Sequence, residues 1–178
     1  MVLDKKSLRK KILKMRLDMS EKQYHDLSHF IIDELKNREE FQQAKTIAVY
    51  LSYHHEVDTW ELVQEMIKIK TICVPVIKDH HQMDFVEIQD LKSLKKNKYG
   101  IAEPCEGKVI DKNDIDVMIV PLVGYNNDNY RLGYGGGYYD RYLIDYHGKT
   151  IGLAFTFQKI EDYIPEEHDM PLDVILTK

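Results

Sequence analysis

Residues 131–140, Arg-Leu-Gly-Tyr-Gly-Gly-Gly-Tyr-Tyr-Asp, combine side chains suited to binding a phosphate and a metal ion. Glycines let backbone N–H groups approach an anion closely, Arg131 adds a forked cation, and Asp140 adds a carboxylate for a divalent cation. An apolar run at 116–123 precedes the segment and a helix-like stretch at 138–146 follows it. A strand, a glycine turn and a helix N-terminus in succession form an anion cradle. The segment therefore predicts a site for a phosphate with its magnesium.

This glycine segment matches neither of the common phosphate motifs. Gly137 is not followed by the Lys-Ser or Lys-Thr of a P-loop, and the third glycine of the dinucleotide fingerprint would fall at Tyr138. A bare turn is the alternative interpretation of four glycines in five residues. The flanking Arg131, the Tyr138-Tyr139 pair and Asp140 favour a ligand site, because a plain turn requires none of them.

Two further segments carry candidate ligand-binding residues. Lys5 and Arg9 lie one helical turn apart and could reach one polyphosphate, although a solvated basic face is the alternative. Glu56, in the segment after the first predicted strand, could hydrogen-bond a heterocycle or a cation, or could simply introduce the next helix. Near the C-terminus, either Asp169 or Asp173 could bring a second carboxylate to a magnesium site begun by Asp140.

The histidines do not predict a zinc site. Neighbouring residues of an extended chain point in opposite directions, so the pairs His54-His55 and His80-His81 should not chelate one ion. His25 and His29 lie four apart on a predicted helix, but no third ligand is evident. The sequence also contains no Ser-His-Asp or Cys-His signature, so covalent catalysis is not expected.

Helical and strand-like segments alternate along the chain. Residues 3–19 are amphipathic, Ser20 and Gln23 form a capping box for a helix ending near Arg38, and Asp58 is the predicted N-cap of a helix over 59–68. Strands are expected at 46–51, 71–77, 83–88, 117–123, 150–155 and 174–176. This alternation predicts an α/β fold, a three-layer αβα sandwich with a mostly parallel, Rossmann-like sheet. Ligands of such sheets bind beyond the carboxyl ends of the strands.

Length and composition predict one soluble domain over residues 1–178. The chain is 43% hydrophobic and 31% charged, with a formal net charge of −5, which disfavours general binding to nucleic acid. The lysines of 92–98 are expected in a solvated loop, within a stretch at 78–116 that could form a flap or small excursion. Cys73 and Cys105 make no metal pattern, the N-terminus is charged rather than apolar, and no run is long enough to span a membrane. We expect a cytoplasmic protein without membrane or nucleic-acid partners.

Taken together, the motifs resemble those of the 5-formyltetrahydrofolate cyclo-ligase family over nearly the whole chain. The resemblance rests on Lys5-Lys-Ser-Leu-Arg9, Leu51-Ser-Tyr-His-His-Glu56-Val-Asp-Thr59, Gly100-Ile-Ala-Glu-Pro104, Arg131–Arg141 and Glu167-His-Asp169. It implies ATP- and Mg²⁺-dependent conversion of 5-formyltetrahydrofolate to 5,10-methenyltetrahydrofolate, with release of ADP and phosphate. One-carbon metabolism is then the setting, and a monomer is expected.

The resemblance also implies roles for individual residues. Arg131, Lys5 and Arg9 would be catalytic, and Asp140 and Asp169 would bind Mg²⁺. ATP would contact Lys5, Lys6, Ser7, Leu8, Arg9, Arg131, Leu132, Gly133, Tyr134, Gly135, Gly136, Gly137, Tyr138 and Tyr139. The folate would contact Leu51, Glu56, Tyr134, Gly135, Gly136, Gly137 and Tyr138. Some family members carry a lysine where this chain has Gly136, so Arg131, Lys5 and Arg9 would carry more of the positive charge here.

Two alternatives from other classes remain at this point. A non-catalytic binder of a phosphorylated metabolite would need the glycine cradle, but not the two separated aspartates or the basic first helix. A nucleic-acid-associated protein would use the lysines of 92–98, but the negative net charge and the lack of a recognition motif disfavour it.

Overall fold

The structure, a computed structural model, describes residues 4–178. Its helices within that range are α1 (Lys5–Leu17), α2 (Glu21–Lys36), α3 (Glu39–Gln43), α4 (Trp60–Met66) and α5 (Tyr138–Leu143). Its strands are β1 (Thr46–Val49), β2 (Thr71–Ile77), β3 (Met83–Ile88), β4 (Leu94–Lys96), β5 (Ala102–Pro104), β6 (Val109–Ile110), β7 (Val117–Val120), β8 (Gly124–Tyr125), β9 (Arg131–Leu132), β10 (Lys149–Ala154) and β11 (Val174–Thr177). No helix in this range has the length and apolar character to cross a membrane.

Seven strands form the central sheet, in the order β11-β10-β7-β1-β2-β3-β6. The five from β11 to β2 are parallel, and β3 and β6 extend one edge in antiparallel fashion. The parallel strands are almost wholly apolar because both of their faces are covered. Two small antiparallel sheets, β4-β5 and β8-β9, lie outside the main one.

Alternate residues of the parallel strands enter two separate cores. Ile47 of β1 and the residues on the same face of the neighbouring strands pack with Ile31 of α2 and Leu62 of α4, which cover this face. Ala48 of β1 and the residues on its face of the neighbouring strands pack with Leu143 of α5 on the opposite side of the sheet. The period of two in strand side chains thus produces two apolar layers. The predicted three-layer αβα sandwich with a mostly parallel sheet is confirmed.

The sheet reverses its direction of growth between β1 and β7. Successive strands extend from β1 through β2 and β3 on one side, and from β7 through β10 and β11 on the other. Such a switch point leaves a crevice at the carboxyl ends of its two strands, because their connections leave in opposite directions. The segments that follow Val49 and Val120 border this crevice.

The path from β7 to the glycine segment differs from the prediction. A continuous strand over 117–123 was expected to feed the glycine turn, but β7 ends at Val120 and the β8-β9 hairpin intervenes. Pro121 cannot donate a ladder hydrogen bond, which explains why pairing stops there. The helix predicted to reach residue 146 ends at Leu143, since Asp145 adopts a left-handed conformation.

The remaining elements agree with the sequence except at their ends. The capping box of Ser20 and Gln23 is present, and α1 begins after an Asp4 cap; residue 3, its predicted start, lies outside the described range. Thr59 rather than Asp58 occupies the N-cap of α4, while the Asp58 carboxylate accepts from the Trp60 N–H. The short α3 was not predicted. Within 78–116, β4-β5 is the excursion, whereas β3 and β6 join the main sheet.

Candidate functional site

One face of α1 lies across the carboxyl edge of the sheet. Lys5, Arg9, Ile12 and Arg16 follow one another at spacings of four, three and four residues, which places them on one helical stripe. Ile12 is buried, and a Cβ built at Gly124 would lie 3.0 Å from its Cδ1, so the helix packs closely on β8. The apolar contact therefore directs the three cations towards the crevice.

Lys5 and Arg9 reach two different segments. The Lys5 Nζ lies 3.0 Å from both Glu166 Oε1 and Asp169 Oδ2. Burial lowers the pKa of Lys5, but hydrogen bonds to these carboxylates outweigh burial and hold its pKa above the usual value. The Arg9 Nε donates to the Gly133 carbonyl at 2.7 Å. The expected shared face of Lys5 and Arg9 is confirmed.

Lys6 and Ser7 do not share that face. Both are exposed, and the Ser7 hydroxyl donates to the Asp4 carboxylate at 2.8 Å. Their backbone N–H groups are likewise taken by Asp4, the N-cap of α1. Of the two neighbouring lysines, the structure directs Lys5 to the site. The predicted ATP contacts of Lys6, Ser7 and Leu8 stay predictions.

Arg131 is a buried cation in β9 with a specific partner. It is 5% exposed, its Nη2 donates to Asp140 Oδ1 at 2.8 Å, and its Cζ lies 5.6 Å from the centre of the Tyr139 ring. Its Nε is buried without a hydrogen-bond partner among the described residues, as is the Tyr139 hydroxyl. Unsatisfied buried donors are costly and rare in folded proteins. An acceptor oxygen that reached either group would therefore satisfy a costly unpaired donor.

The glycine segment winds tightly between Arg131 and α5. Gly135 has φ of +101° and Gly137 has φ of +67°, in the region that side chains rarely adopt. A Cβ at Gly135 would lie 3.4 Å from the Arg9 Cζ, so the backbone runs directly beside this guanidinium. The glycines consequently serve both the turn and the close approach of α1.

Glu56 lies at the bottom of the crevice, in the segment after β1. It is 9% exposed, accepts from the Tyr53 N–H at 2.9 Å through Oε2, and accepts from the Tyr134 hydroxyl through Oε1. Burial raises the pKa of Glu56, while the charge of Arg16 and these two hydrogen bonds oppose the rise. Leu51, the other predicted folate contact in this segment, is buried in the core.

A polar cleft of about 620 Å³ opens on the far side of Tyr138. The turn between β2 and β3 and the loop between β4 and β5 form its walls. It is lined by Ile77, Lys78, Asp79, His80, His81, Asn97, Lys98, Tyr99, Glu103 and Tyr138. This volume is ordinary for a small-molecule site. Since Tyr138 belongs to the glycine segment, the cleft and the crevice share a border.

The predicted metal ligands each have a protein partner. Asp140 pairs with Arg131, and Asp169 Oδ2 accepts from Lys5, from the Tyr163 hydroxyl at 2.9 Å and from the Glu166 N–H at 2.8 Å. Asp173, the alternative ligand, accepts from the N–H and hydroxyl of Thr150 and so joins β11 to β10. Among the described residues, the side chains close enough together to share an ion are those of Glu166, His168 and Asp169. Binding of a metal by Asp140 and Asp169 stays a prediction.

The histidine pairs differ from the expected extended conformation. His54, His55, His80 and His81 all have φ between 49° and 58°, in the left-handed region. The extended backbone that was expected for these two pairs was therefore wrong. His54 instead offers its carbonyl to Arg16, and His81 packs at 5.6 Å from the Tyr138 ring.

Sequence reasoning missed Arg16, Tyr163 and most of the cleft. Arg16 is 1% exposed and contacts the segment around Glu56, and its position on the stripe of Lys5 and Arg9 was a usable signal. Tyr163 donates to Asp169 and also lies 3.4 Å from the Arg131 carbonyl. No local pattern marks Tyr163 or the cleft, because only tertiary packing brings these residues to the site.

The fold and site define an α/β protein with its ligand site at the carboxyl edge of the sheet, where several cations surround a glycine-rich turn. A family model described as the 5-formyltetrahydrofolate cyclo-ligase family matches residues 2–178. The cyclo-ligase of Haemophilus influenzae is 32% identical, with 97% of each chain covered. That of Mycoplasma pneumoniae is 33% identical over 98% of this chain and 99% of the relative.

Solved structures give the same result. The 5,10-methenyltetrahydrofolate synthetase of Aquifex aeolicus is similar with a TM-score of 0.87 and 35% identity, covering 97% of this chain and 89% of that one. The M. pneumoniae synthetase gives a TM-score of 0.81 and 31% identity, with 98% of each chain covered. The chain belongs to the 5-formyltetrahydrofolate cyclo-ligase family, and it is a ligase of that family.

Proposed function

We propose that this chain converts 5-formyltetrahydrofolate to 5,10-methenyltetrahydrofolate, using ATP and Mg²⁺ and releasing ADP and phosphate, as a single domain. Family membership supports the folate substrate and the ligase chemistry. The observation that carries the ATP half is that Arg9 and Arg131 both lie against one glycine-rich turn, while Lys5 lies on the same stripe of α1 as Arg9. These cations come from α1 and β9, which are far apart in sequence, so their meeting is a product of the fold.

The donors around the turn fit a polyphosphate. Arg9 is held against the backbone by Gly133, and the buried Nε of Arg131 has no acceptor in the described structure. A phosphate oxygen beside Arg131 would satisfy this donor with a charge-assisted hydrogen bond. Lys5 would add a third positive charge once its hydrogen bonds with Asp169 and Glu166 rearrange.

Two carboxylates are the proposed ligands of the divalent cation. Asp140 and Asp169 would bind Mg²⁺, a hard cation that prefers oxygen ligands. When bound with the nucleotide, Mg²⁺ neutralises charge on the transferring phosphoryl group. Asp140 uses its Oδ1 for Arg131, and Asp169 is engaged by a lysine rather than buried in an apolar core. Both side chains are thus in polar surroundings that a cation can enter.

The folate would occupy the crevice beside Glu56 and extend into the polar cleft. Glu56 offers carboxylate oxygens to the N–H groups of a pterin, with Leu51 and the 134–138 backbone as neighbouring walls. Tyr138 borders both the crevice and the cleft, and its ring suits a flat ligand. Lys78 and Lys98 line the cleft, where they would face the glutamate carboxylates at the far end of the folate.

The chemistry proposed is phosphoryl transfer followed by ring closure. The formyl oxygen attacks the γ-phosphorus, the bond from that phosphorus to ADP breaks, and ADP leaves. N10 of the folate then attacks the formyl carbon and loses its proton to solvent, and the carbon–oxygen bond breaks with release of phosphate. Positioning and charge neutralisation are the main work of the protein, which agrees with the lack of a nucleophile motif.

An absorbance assay tests this function directly. Purified protein with 5-formyltetrahydrofolate and MgATP should form the near-ultraviolet band of the methenyl product, and omission of either ATP or Mg²⁺ should prevent it. Binding of ATP without any product, from folded protein, would instead favour the non-catalytic binder of a phosphorylated metabolite.

The same assay tests the ATP half with a matched pair of variants. Arg9→Ala removes a cation held against the glycine segment, so the KM for ATP should rise by about tenfold with a smaller change for the folate. Lys10→Ala removes the neighbouring, exposed cation and should match the wild type. Equal effects of the two changes on the KM for ATP would mean that Arg9 contributes only to the general positive charge of α1 and does not contact the phosphates.

A further inference from the structure

Arg16 is a buried cation without a carboxylate in direct contact. Its Nε and Nη2 donate to the His54 carbonyl at 3.1 and 2.8 Å, and its Nη1 lies 3.5 Å from the Leu122 carbonyl. Among the described residues, no acidic oxygen lies within 4.0 Å of its guanidinium. Buried charges are normally paired, because desolvation is otherwise very costly.

Tyr134 connects this cation to a buried anion. The Arg16 Nη2 donates to the Tyr134 hydroxyl at 3.0 Å, and the same hydroxyl donates to Glu56 Oε1. A guanidinium has donors only, so the phenol oxygen must accept from Arg16, and its single hydrogen is free to point at Glu56. Arg16 therefore sets the direction of the hydrogen bond that Glu56 receives.

Arg16 also fixes the backbone that carries Glu56. By holding the carbonyl of His54, it anchors the turn in which the Tyr53 N–H donates to Glu56 Oε2 at 2.9 Å. Both carboxylate oxygens thus have donors whose positions depend, directly or through Tyr134, on one guanidinium. The orientation of the carboxylate is therefore determined by α1 together with its own loop.

Several other titratable groups face Glu56. The phenols of Tyr24 on α2, Tyr50 after β1 and Tyr139 on α5 are all near enough to be affected by its charge, and burial raises the pKa of each. They stay neutral at ordinary pH. His55 stacks on Tyr24 and uses its Nδ1 on the Arg16 carbonyl, with Glu21 at 3.5 Å from its Nε2. Among these groups, Arg16 supplies the positive charge that opposes the rise in the pKa of Glu56.

We propose that Arg16 and Tyr134 are positioning residues that hold Glu56 as an oriented carboxylate for the folate substrate. The inference rests on the proposed function, since it assigns the folate to Glu56. Neither residue needs to contact the reacting atoms. Tyr134 is half exposed through its ring, so it also forms the wall of the crevice through which a ligand reaches Glu56.

Tyr134→Phe removes only the connecting hydroxyl. Glu56 then loses a donor to its charged form, so its pKa rises and the acidic limb of kcat/KM for the folate should move up by about one pH unit. The KM for the folate should rise by about tenfold, while the KM for ATP should change little. The control is Tyr146→Phe, which removes a hydroxyl bonded to the Ile115 carbonyl at the opposite edge of the sheet. This control should leave the pH profile unchanged.

Substitutions of Arg16 separate its charge from its geometry. Arg16→Lys keeps a cation but lacks the fork that serves His54 and Tyr134 together, and Arg16→Met removes the cation. The acidic limb should move further in Arg16→Met than in Arg16→Lys. An identical loss of activity in both, with wild-type pH profiles, would mean that Arg16 only stabilises the fold and would overturn the proposal.

A stability cycle tests the link without activity. Glu56→Gln, Tyr134→Phe and the double variant should be non-additive in urea unfolding, because Tyr134→Phe removes the hydrogen bond whose charged acceptor Glu56→Gln replaces with a neutral one. Additive effects would overturn the link. Absence of product from the wild type would overturn the proposed function, and the folate role of Glu56 with it. Active enzyme with an unshifted Tyr134→Phe profile would overturn this inference alone.

Discussion

Arg131 and Asp140 are predicted to hold opposite parts of a ligand, and in the described structure they hold each other. The guanidinium would face phosphate and the carboxylate would face Mg²⁺, yet their side chains meet at 2.8 Å. A pair of this kind keeps a buried cation compensated before ligand arrives. When the ligand binds, Arg131 must exchange the negative carboxylate of Asp140 for a negative phosphate. Asp140 must likewise exchange the positive guanidinium of Arg131 for positive Mg²⁺.

Asp140→Asn tests the metal half of this arrangement. The amide keeps the shape and can still accept from Arg131, but it loses the charge that favours a divalent cation. Turnover at a fixed Mg²⁺ concentration should fall on the order of 100-fold, with an unchanged circular dichroism spectrum. Asp145→Asn makes the same change at an exposed site beyond α5 and serves as control. Full activity in Asp140→Asn would remove Asp140 from the metal site.

At the residue scale, the sequence predicts the charged groups better than their partners. The shared face of Lys5 and Arg9 followed from helical spacing alone. The same spacing leads to Arg16, which lies on that stripe beyond Ile12 and was not predicted. That Tyr163 donates to Asp169, or that Tyr134 donates to Glu56, depends on how loops pack. No local periodicity contains that information.

At the scale of elements, the start of α5 depends on one backbone conformation. Gly137 is its N-cap, with φ of +67° and ψ of 16° and no side-chain cap. The helix is only six residues long, so it has little intrinsic stability of its own. Its position relies on the turn before it and on Leu143 and its aromatic neighbours in the core.

Gly137→Ala should therefore destabilise the protein. A side chain in the left-handed region costs about 1–2 kcal/mol, which urea unfolding should detect. Gly137→Asn should be less destabilising, since asparagine adopts this region more readily. Equal stability of the wild type and the alanine variant would show that the turn can rearrange around the new Cβ.

The polar cleft is formed by two connections that the sequence left irregular. One is the turn from β2 to β3, and the other is the loop from β4 to β5, which also brings Gly100 close to Tyr53. The strands β4 and β5 are short and partly exposed, so the alternation of apolar and polar residues is weak there. The prediction of an excursion in this region was right in part, but its use as a wall of the site could not be derived.

Lys98→Ala tests whether the cleft contacts the folate. Loss of one partly solvated cation should raise the KM for the folate by about two- to fivefold and leave the KM for ATP unchanged. The effect should increase with the number of glutamates on the substrate. Lys95→Ala, an exposed lysine of β4 that does not line the cleft, is the matched control. Indistinguishable folate kinetics for the two variants would place the folate elsewhere.

At the scale of the whole molecule, two carboxylates connect stability to pH. Burial raises the pKa values of Asp169 and Asp173, but hydrogen bonds from the Glu166 N–H and from Thr150 outweigh it, so both lie below the usual range. The unfolded chain therefore binds more protons than the folded one in acid. Their contribution is complete above the unfolded pKa of about 4 and is lost as the pH falls through the lower folded values.

Asp173→Asn should show this pH dependence in urea unfolding between about pH 3 and pH 7. The variant should be less stable than the wild type near neutrality, because Thr150 loses a charged acceptor. The difference should shrink as the pH falls, because the wild-type carboxylate becomes protonated. Asp128→Asn, at an exposed position, should follow the wild-type curve. A constant difference across the range would exclude ionisation of Asp173 as the cause.

The contacts of the site span most of the chain. Lys5 meets Asp169 across 164 positions, Arg9 meets Gly133 across 124, and Arg16 meets Tyr134 across 118. Contacts between such distant residues form late in folding, because each requires closure of a long loop. The central sheet can pair before α1 settles on its edge. During refolding, activity should therefore return after secondary structure, and during synthesis the ligand site is complete only after residue 169 has been made.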